Sequence, residues 1–127
     1  MMRNIRDVFY SFSVDNQQKA EKFYSELSGI EVIRDSMGLT LRKGDKTVAF
    51  IYQKDNHQPA TFTILNFVVD NLNEAISHLG KSGLKPERYE GLTGSDGIHQ
   101  GNPASGDPTI AWFKDPAGNI FSVIQNK

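Results

Sequence analysis

The chain has 127 residues, a length that fits one domain of ordinary size and leaves little room for two. Hydrophobic residues make up 38% and charged residues 23%, which is the composition of a globular protein. The net charge of -1 gives no basic surplus for binding a nucleic acid or an anionic membrane surface. Because cysteine is absent, disulfides, thiolate nucleophiles and zinc–thiolate sites are excluded.

The beginning of the chain reads MMRNIRDVFYSF and lacks the apolar run of a signal peptide. No stretch of about 18 consecutive apolar residues occurs, as a transmembrane helix would need. We therefore expect a cytoplasmic protein with neither a membrane nor a nucleic acid as its partner.

One pattern occurs twice along the chain. Residues 12–16 read FSVDN and residues 67–71 read FVVDN, at an offset of 55 positions. Apolar residues follow at helical spacing in both copies, so we expect two helices, each preceded by a strand, at about 7–14 and 61–69. The candidate helix caps are Asp15 or Asn16 in the first copy and Asp70 or Asn71 in the second.

A second correspondence relates residues 42–48 (RKGDKTV) to residues 114–120 (KDPAGNI), at an offset of 72 positions. Both segments contain the glycine, proline or aspartate of tight turns. The larger offset adds 17 residues to the second half, which we place in the glycine-rich segment 90–108. The further strands are predicted at about 30–35, 37–42 and 47–53, and at about 84–89, 108–114 and 119–125.

Each half of the chain therefore reads as a strand, a helix and three more strands. The predicted fold is α+β, with one βαβββ module over about 5–55 and another over about 60–127, within a single domain of residues 1–127. We expect the strands of the two modules to form a curled sheet around a cleft.

This repeated unit resembles the vicinal oxygen chelate superfamily, which contains glyoxalases, bleomycin resistance proteins and dioxygenases. The ending AWFKDPAGNIFSVIQ is similar to the aromatic strand, DPxGN turn and final strand of that family. The segment FSVDNQQKAEKFYSELSG is similar to its first strand and helix. The resemblance covers nearly the whole chain, and it implies a glyoxalase-like fold and a homodimer.

The resemblance also implies where metal ligands would lie. Enzymes of the superfamily hold a divalent ion with two histidines and a glutamate, often with a further carboxylate. In this sequence the four positions fall on Phe9, Ile64, Ser122 and Phe50, which agree with the offsets of 55 and 72. None of these side chains is a carboxylate or an imidazole, so we expect no metal and no other cofactor.

A cleft with few polar groups among apolar walls is typical of a small-molecule site. The predicted ligand-binding residues are Phe9, Ser11, Phe50, Tyr52, Ile64, Asn66 and Ser122. The leading hypothesis is a metal-independent small-molecule binding protein, in the manner of the drug-sequestering bleomycin resistance relatives. An interaction domain whose cleft has filled with side chains is an alternative.

Two residues of segment 90–108 are candidates for a metal-independent enzyme of the lyase or isomerase type. Glu90 could act as an acid or a base beside an apolar cleft, although it equally fits a solvated strand end. His99 could reach a ligand if the segment is a mobile lid. A metal-dependent lyase or dioxygenase with ligands His57, Glu90 and His99 is a further alternative, although His57 fits a solvated linker better.

Overall fold

The computed structural model describes residues 1–126 and divides them into two compact units. The first unit ends at Pro59 and the second begins at Ala60. Each unit contains a strand, a helix and three further strands in that order. The α+β fold class with two βαβββ modules is therefore confirmed.

The first unit consists of β1 (Tyr10–Val14), α1 (Gln17–Ser25), β2 (Glu31–Arg34), β3 (Leu39–Lys43) and β4 (Lys46–Gln53). Its sheet has the order β1-β4-β3-β2, in which β1 runs parallel to β4 and the other pairs are antiparallel. The helix packs against β2, β3 and β4. Ala20 and Tyr24 from α1 are buried, as are Val14, Leu41 and Ile51 from the strands.

The second unit consists of β5 (Thr63–Val68), α2 (Leu72–Lys81), β6 (Ile98–His99), a 3-10 turn (Pro103–Ser105), β7 (Thr109–Lys114) and β8 (Ile120–Gln125). Its sheet has the order β5-β8-β7-β6, and again the first strand runs parallel to the last. The helix packs against β7 and β8, where the buried rings of Phe113 and Phe121 stack with centroids 5.6 Å apart. No helix in residues 1–126 is long and apolar enough to cross a membrane.

The pairing of the strands follows the two offsets of the sequence repeat. Ser11 lies opposite Phe50 in the β1–β4 pair, and Asn66 lies opposite Ser122 in the β5–β8 pair. These two pairs are related by 55 positions on one strand and 72 on the other. The antiparallel pair of β7 with β8 repeats that of β3 with β4 at the offset of 72 over Leu39–Leu41, beyond which a bulge in β3–β4 shifts the register. The repeat is therefore one of strand register as well as of sequence.

Both helices begin at an asparagine cap. The side chain of Asn16 accepts a hydrogen bond from the backbone N–H of Lys19 at 3.0 Å, and Asn71 accepts one from Glu74 at 3.0 Å. Each cap satisfies one of the N–H groups that the first turn of a helix leaves without a partner. The two asparagines are the caps, and the aspartates before them are not.

A glutamine at the end of the last strand supplies a second cap in each unit. Gln53 Oε1 accepts a hydrogen bond from the N–H of Gln17 at 2.9 Å, and Gln125 Oε1 accepts one from Leu72 at 2.7 Å. The parallel pairing makes this possible because the carboxyl ends of the first and last strands lie at the same edge of the sheet.

The prediction of a strand at 84–89 is wrong. This segment has no regular secondary structure, and a single backbone hydrogen bond, from the Glu87 N–H to the Trp112 carbonyl at 2.7 Å, joins it to β7. The short strand Ile98–His99 pairs with β7 instead. Pro86 has no backbone N–H to donate, which disfavours a continuous ladder in this segment.

Replacing Gln125 by alanine should destabilise the second unit, because it removes the acceptor of the N–H of buried Leu72. An unsatisfied buried donor costs about 1–3 kcal/mol, so we expect a loss of that size in the free energy of unfolding. Gln125→Glu keeps an acceptor oxygen and places a negative charge at a helix N-terminus, so most of the stability should remain. The matched control is Gln53→Ala, whose hydrogen bond is exposed to water. Urea denaturation measures these changes, and equal losses for both alanine variants would contradict the explanation.

Candidate functional site

Three of the predicted ligand-binding residues lie together in the first unit. Ser11 is opposite Phe50 in the β1–β4 pair, and the rings of Phe50 and Tyr52 are stacked, with centroids 6.5 Å apart and an interplanar angle of 17°. Strand alternation places all three on the face opposite to the buried Phe12 and Ile51. Tyr52 is exposed and Phe50 is half-buried, so this face presents stacked aromatic surface beside a hydroxyl.

Phe9 is not part of this group. The first strand begins at Tyr10, three residues later than predicted, and 54% of Phe9 is exposed. The position that the resemblance assigns to the first metal ligand therefore lies outside the sheet.

In the second unit the structure brings Asn66 and Ser122 together. The Ser122 hydroxyl donates a hydrogen bond to Asn66 Oδ1 at 2.6 Å, and Ser122 is fully buried. Ile64 is also buried but has no partner residue on β8, because the pairing register shifts between Thr63 and Leu65. Among these three predicted site residues, Ser122 and Asn66 form a direct polar contact.

Sequence reasoning missed an aromatic group beside Ser122, which we call the Trp112 cluster. Trp112 lies opposite Ser122 in the pair of β7 with β8. The ring of Tyr89 meets it edge-on with centroids 5.7 Å apart, and the ring of His99 lies 6.4 Å away at 56°. The repeat could have identified Trp112, because the offset of 72 relates β7 to β3 and so predicts which residue neighbours Ser122.

The hydroxyl of Tyr89 is buried and has no hydrogen-bond partner among the described residues. Burial first, and the negative charge of Glu87 second, raise the pKa of Tyr89 above its ordinary value of 10.0. The phenol is therefore protonated at neutral pH and can donate a hydrogen bond. The other buried side-chain polar atom without a described partner is Arg42 Nε in the first unit. Such groups are uncommon in folded proteins, and a bound ligand is one way of satisfying them.

Both ring nitrogens of His99 face oxygen atoms of segment 90–108. Nδ1 lies 3.0 Å from the carbonyl oxygen of Leu92, and Nε2 lies 3.5 Å from Oδ2 of Asp107. His99 is thus held by the protein on both sides. Glu90, the other predicted catalytic candidate, is exposed, and no hydrogen bond or ion pair joins it to another described residue.

Segment 90–108 contains more structure than its composition predicted. It includes β6 and the 3-10 turn, and two of its glycines lie where another residue would not fit. A Cβ atom on Gly97 would lie 2.7 Å from Cβ of Pro86, and one on Gly101 would collide with the backbone of Asp107 and Pro108. These two glycines therefore allow close packing of the chain. That the segment is a mobile lid stays a prediction.

The interpretation of His57 as a solvated linker residue is wrong. Its ring is half-buried, and Nδ1 lies 2.7 Å from the hydroxyl oxygen of Ser13 on β1. Its backbone N–H also donates to the carbonyl of Lys54 at 3.1 Å. His57 therefore fastens the segment after β4 to the sheet of its own unit.

The residues at the metal positions implied by the resemblance do not fit a divalent ion. Phe9, Phe50 and Ile64 carry no donor atom in their side chains, and the Ser122 hydroxyl is engaged by Asn66. Nor do His57, Glu90 and His99 form an alternative centre, since no three His, Asp or Glu side chains in residues 1–126 are grouped so that they could hold a metal.

The fold is that of the glyoxalase/bleomycin resistance protein/dioxygenase superfamily. A member from Sphaerobacter thermophilus superposes with a TM-score of 0.64 at 20% identity, over 95% of this chain and 98% of that one. No protein-family model and no curated protein matches the sequence.

Two further solved structures with this fold are an antibiotic-binding protein and a bleomycin-binding protein. An antibiotic-binding protein from Streptomyces sp. CB03234 gives a TM-score of 0.67 at 19% identity, with both chains fully covered. A bleomycin-binding protein, solved with bleomycin, gives 0.60 at 22% identity over 97% of this chain and 100% of that one. Because the sequence identities are low, the structural similarity to these proteins establishes the fold alone.

Tyr89→Phe tests whether the buried hydroxyl is truly without a partner. Removing a buried polar group that makes no hydrogen bond should leave the free energy of unfolding unchanged or raise it by about 1 kcal/mol. Urea denaturation of the ligand-free protein measures the difference in the free energy of unfolding between Tyr89→Phe and wild type. A loss of more than about 1 kcal/mol would show that the hydroxyl makes a hydrogen bond in the folded protein.

Proposed function

We propose that this protein binds a small organic molecule without the help of a metal ion. The observation that carries the proposal is the Trp112 cluster, in which the buried Tyr89 hydroxyl has no partner. Aromatic surface with a few well-placed polar groups is typical of small-molecule sites. The antibiotic-binding protein and the bleomycin-binding protein that share the fold support the same class of function.

The arrangement of charges favours an uncharged aromatic ligand. The charged groups around the Trp112 cluster are paired with one another, His99 with Asp107 at 3.5 Å and Lys114 with Glu87 at 3.8 Å. Arg88 and Glu90, which flank Tyr89, are exposed and opposite in charge, so neither sign of charge is in excess there and a strongly cationic or anionic ligand would find no surplus of counter-charge. In the first unit, Ser11 and the stacked Phe50 and Tyr52 have the same aromatic and hydroxyl character, and we propose them as candidate ligand-binding residues of that unit by itself.

The observations give less support to an enzyme. Both ring nitrogens of His99 face oxygen atoms of the protein, the Leu92 carbonyl and the Asp107 carboxylate, so the protein itself occupies both polar positions of the ring. Glu90 is exposed and is not held in position by another described residue. The homodimer that the resemblance implies stays part of the proposal.

The metal-independent part of the proposal predicts that the purified protein contains no stoichiometric Zn, Ni, Fe or Mn. Phenylalanine and isoleucine at three of the four ligand positions cannot coordinate these ions. Elemental analysis of protein purified without chelator measures the content. One tightly bound ion per chain would refute this part, whereas ligand binding could still be tested separately.

Ligand binding can be followed through Trp112, the single tryptophan of the chain. We expect uncharged, aromatic chloramphenicol to change its fluorescence with a dissociation constant in the micromolar range, about -7 to -8 kcal/mol. Cationic bleomycin should bind more weakly, because the cluster lacks an excess of negative charge.

The matched variants are Tyr89→Phe, which removes the proposed donor, and Tyr10→Phe, which makes the same change outside the cluster. The first should weaken binding about tenfold, as the loss of one hydrogen bond predicts, and the second should not. Isothermal titration calorimetry gives an independent measurement. If neither compound binds by either method, the proposed ligand class is wrong.

A further inference from the structure

His99 joins the two arms of segment 90–108. Leu92 precedes it and Asp107 follows it, and the two ring nitrogens face one residue of each arm. The backbone of His99 is itself fixed, because it pairs with Ile110 on β7. A single imidazole on the sheet therefore holds both arms of the segment beside Trp112.

Both partners of the ring accept hydrogen bonds and do not donate them. A carbonyl oxygen is always an acceptor, and so is an ionised carboxylate. Neutral imidazole carries one N–H, whereas the protonated ring carries two. Only the protonated ring can therefore donate to the Leu92 carbonyl and pair with the Asp107 carboxylate at the same time. In the neutral ring with its proton on Nδ1, a lone pair on Nε2 would face a negative oxygen 3.5 Å away.

We propose that His99 is a proton-dependent clasp, which holds segment 90–108 beside Trp112 when it is protonated and releases the Asp107 arm when it is neutral. The clasp is complete while the ring carries both N–H groups and opens when rising pH removes one of them. Its effect on ligand affinity rests on the proposed function, whereas its effect on the segment does not.

The ionisable groups around the ring are few. Among the described residues, Asp107 is the one carboxylate that forms an ion pair with His99, at 3.5 Å. On the same segment, Asp96 Oδ1 is engaged by the N–H of Ile98, and Glu90 is exposed. On β7 and the segment before the loop, Lys114 is paired with Glu87. Arg88 is exposed and Tyr89 is neutral at these pH values. The proton on His99 is thus the change of charge that acts on the Asp107 arm.

Trp112 reports on the clasp because the His99 ring lies 6.4 Å from it. The experiment is a fluorescence titration of the ligand-free, full-length protein between pH 5 and 8, in wild type, His99→Gln, Asp107→Asn and His78→Gln. His78 is exposed on α2 and serves as the matched histidine control. We expect one transition in wild type and His78→Gln and its loss in His99→Gln. In Asp107→Asn, whose carboxylate is gone, the midpoint should move to lower pH.

Amide hydrogen exchange shows whether the segment itself responds. After correction for the intrinsic pH dependence of exchange, we expect rates in residues 100–107 to rise about three- to fivefold from pH 5.5 to 8, the effect of one partly exposed ion pair. In His99→Gln, the corrected exchange rates at pH 8 and pH 5.5 should be nearly equal. An unchanged fluorescence transition in His99→Gln, or equal exchange at the two pH values in wild type, would overturn the clasp.

Chloramphenicol, which is uncharged across this range, separates the clasp from the proposed function. We expect its affinity to differ about three- to fivefold between pH 5.5 and 8 in wild type and to be constant in His99→Gln. Binding that is equal at both pH values would disprove the regulation while leaving the proposed function intact. If chloramphenicol fails to bind at either pH but the fluorescence transition depends on His99, the proposed ligand class fails and the clasp stands.

Discussion

The structure depends on the parallel pairing of the first and last strands within each unit. Parallel strands cannot be joined by a tight turn, so the chain must cross the sheet between them, and it does so through the helix and the two middle strands. The pairing also brings the end of the last strand next to the start of the helix. Gln53 and Gln125 use this proximity to accept a backbone N–H, and thereby fix the helix to the strand.

That constraint decides which residues can meet on the face of each sheet that is turned away from its helix. A side chain on the last strand has one neighbour on the parallel strand and another on the antiparallel strand. The register of the two strand pairs determines which residues these neighbours are. In the first unit Phe50 lies between Ser11 and Thr40, and in the second Ser122 lies between Asn66 and Trp112. The large aromatic residue of this pair is Phe50 on the last strand in the first unit, but Trp112 on the antiparallel neighbour in the second.

The sequence predicted what depends on local pattern and on the repeat. The two offsets indicated the modules, both helices and most of the strands, because the elements and the cap positions are repeated along the chain. The neighbourhood of Ser122 was only half predicted. Asn66 lies on a predicted strand face, but Tyr89 reaches Trp112 from irregular backbone and His99 reaches it from β6, a strand that was not predicted. The strand expected at 84–89 failed because Pro86 has no N–H for a ladder and because β6, which lies within the added segment 90–108, pairs with β7 instead.

The two-residue length of β6 has a consequence for how the protein behaves at high concentration. A long exposed edge of a sheet is a template on which another chain can add a strand, and proteins avoid this with short or interrupted edges. In the second unit, β7 is bordered by Ile98–His99 and by one hydrogen bond from Glu87, and these are separated by turns. The irregular insertion thus breaks up the border of the sheet and makes it a poor template for aggregation.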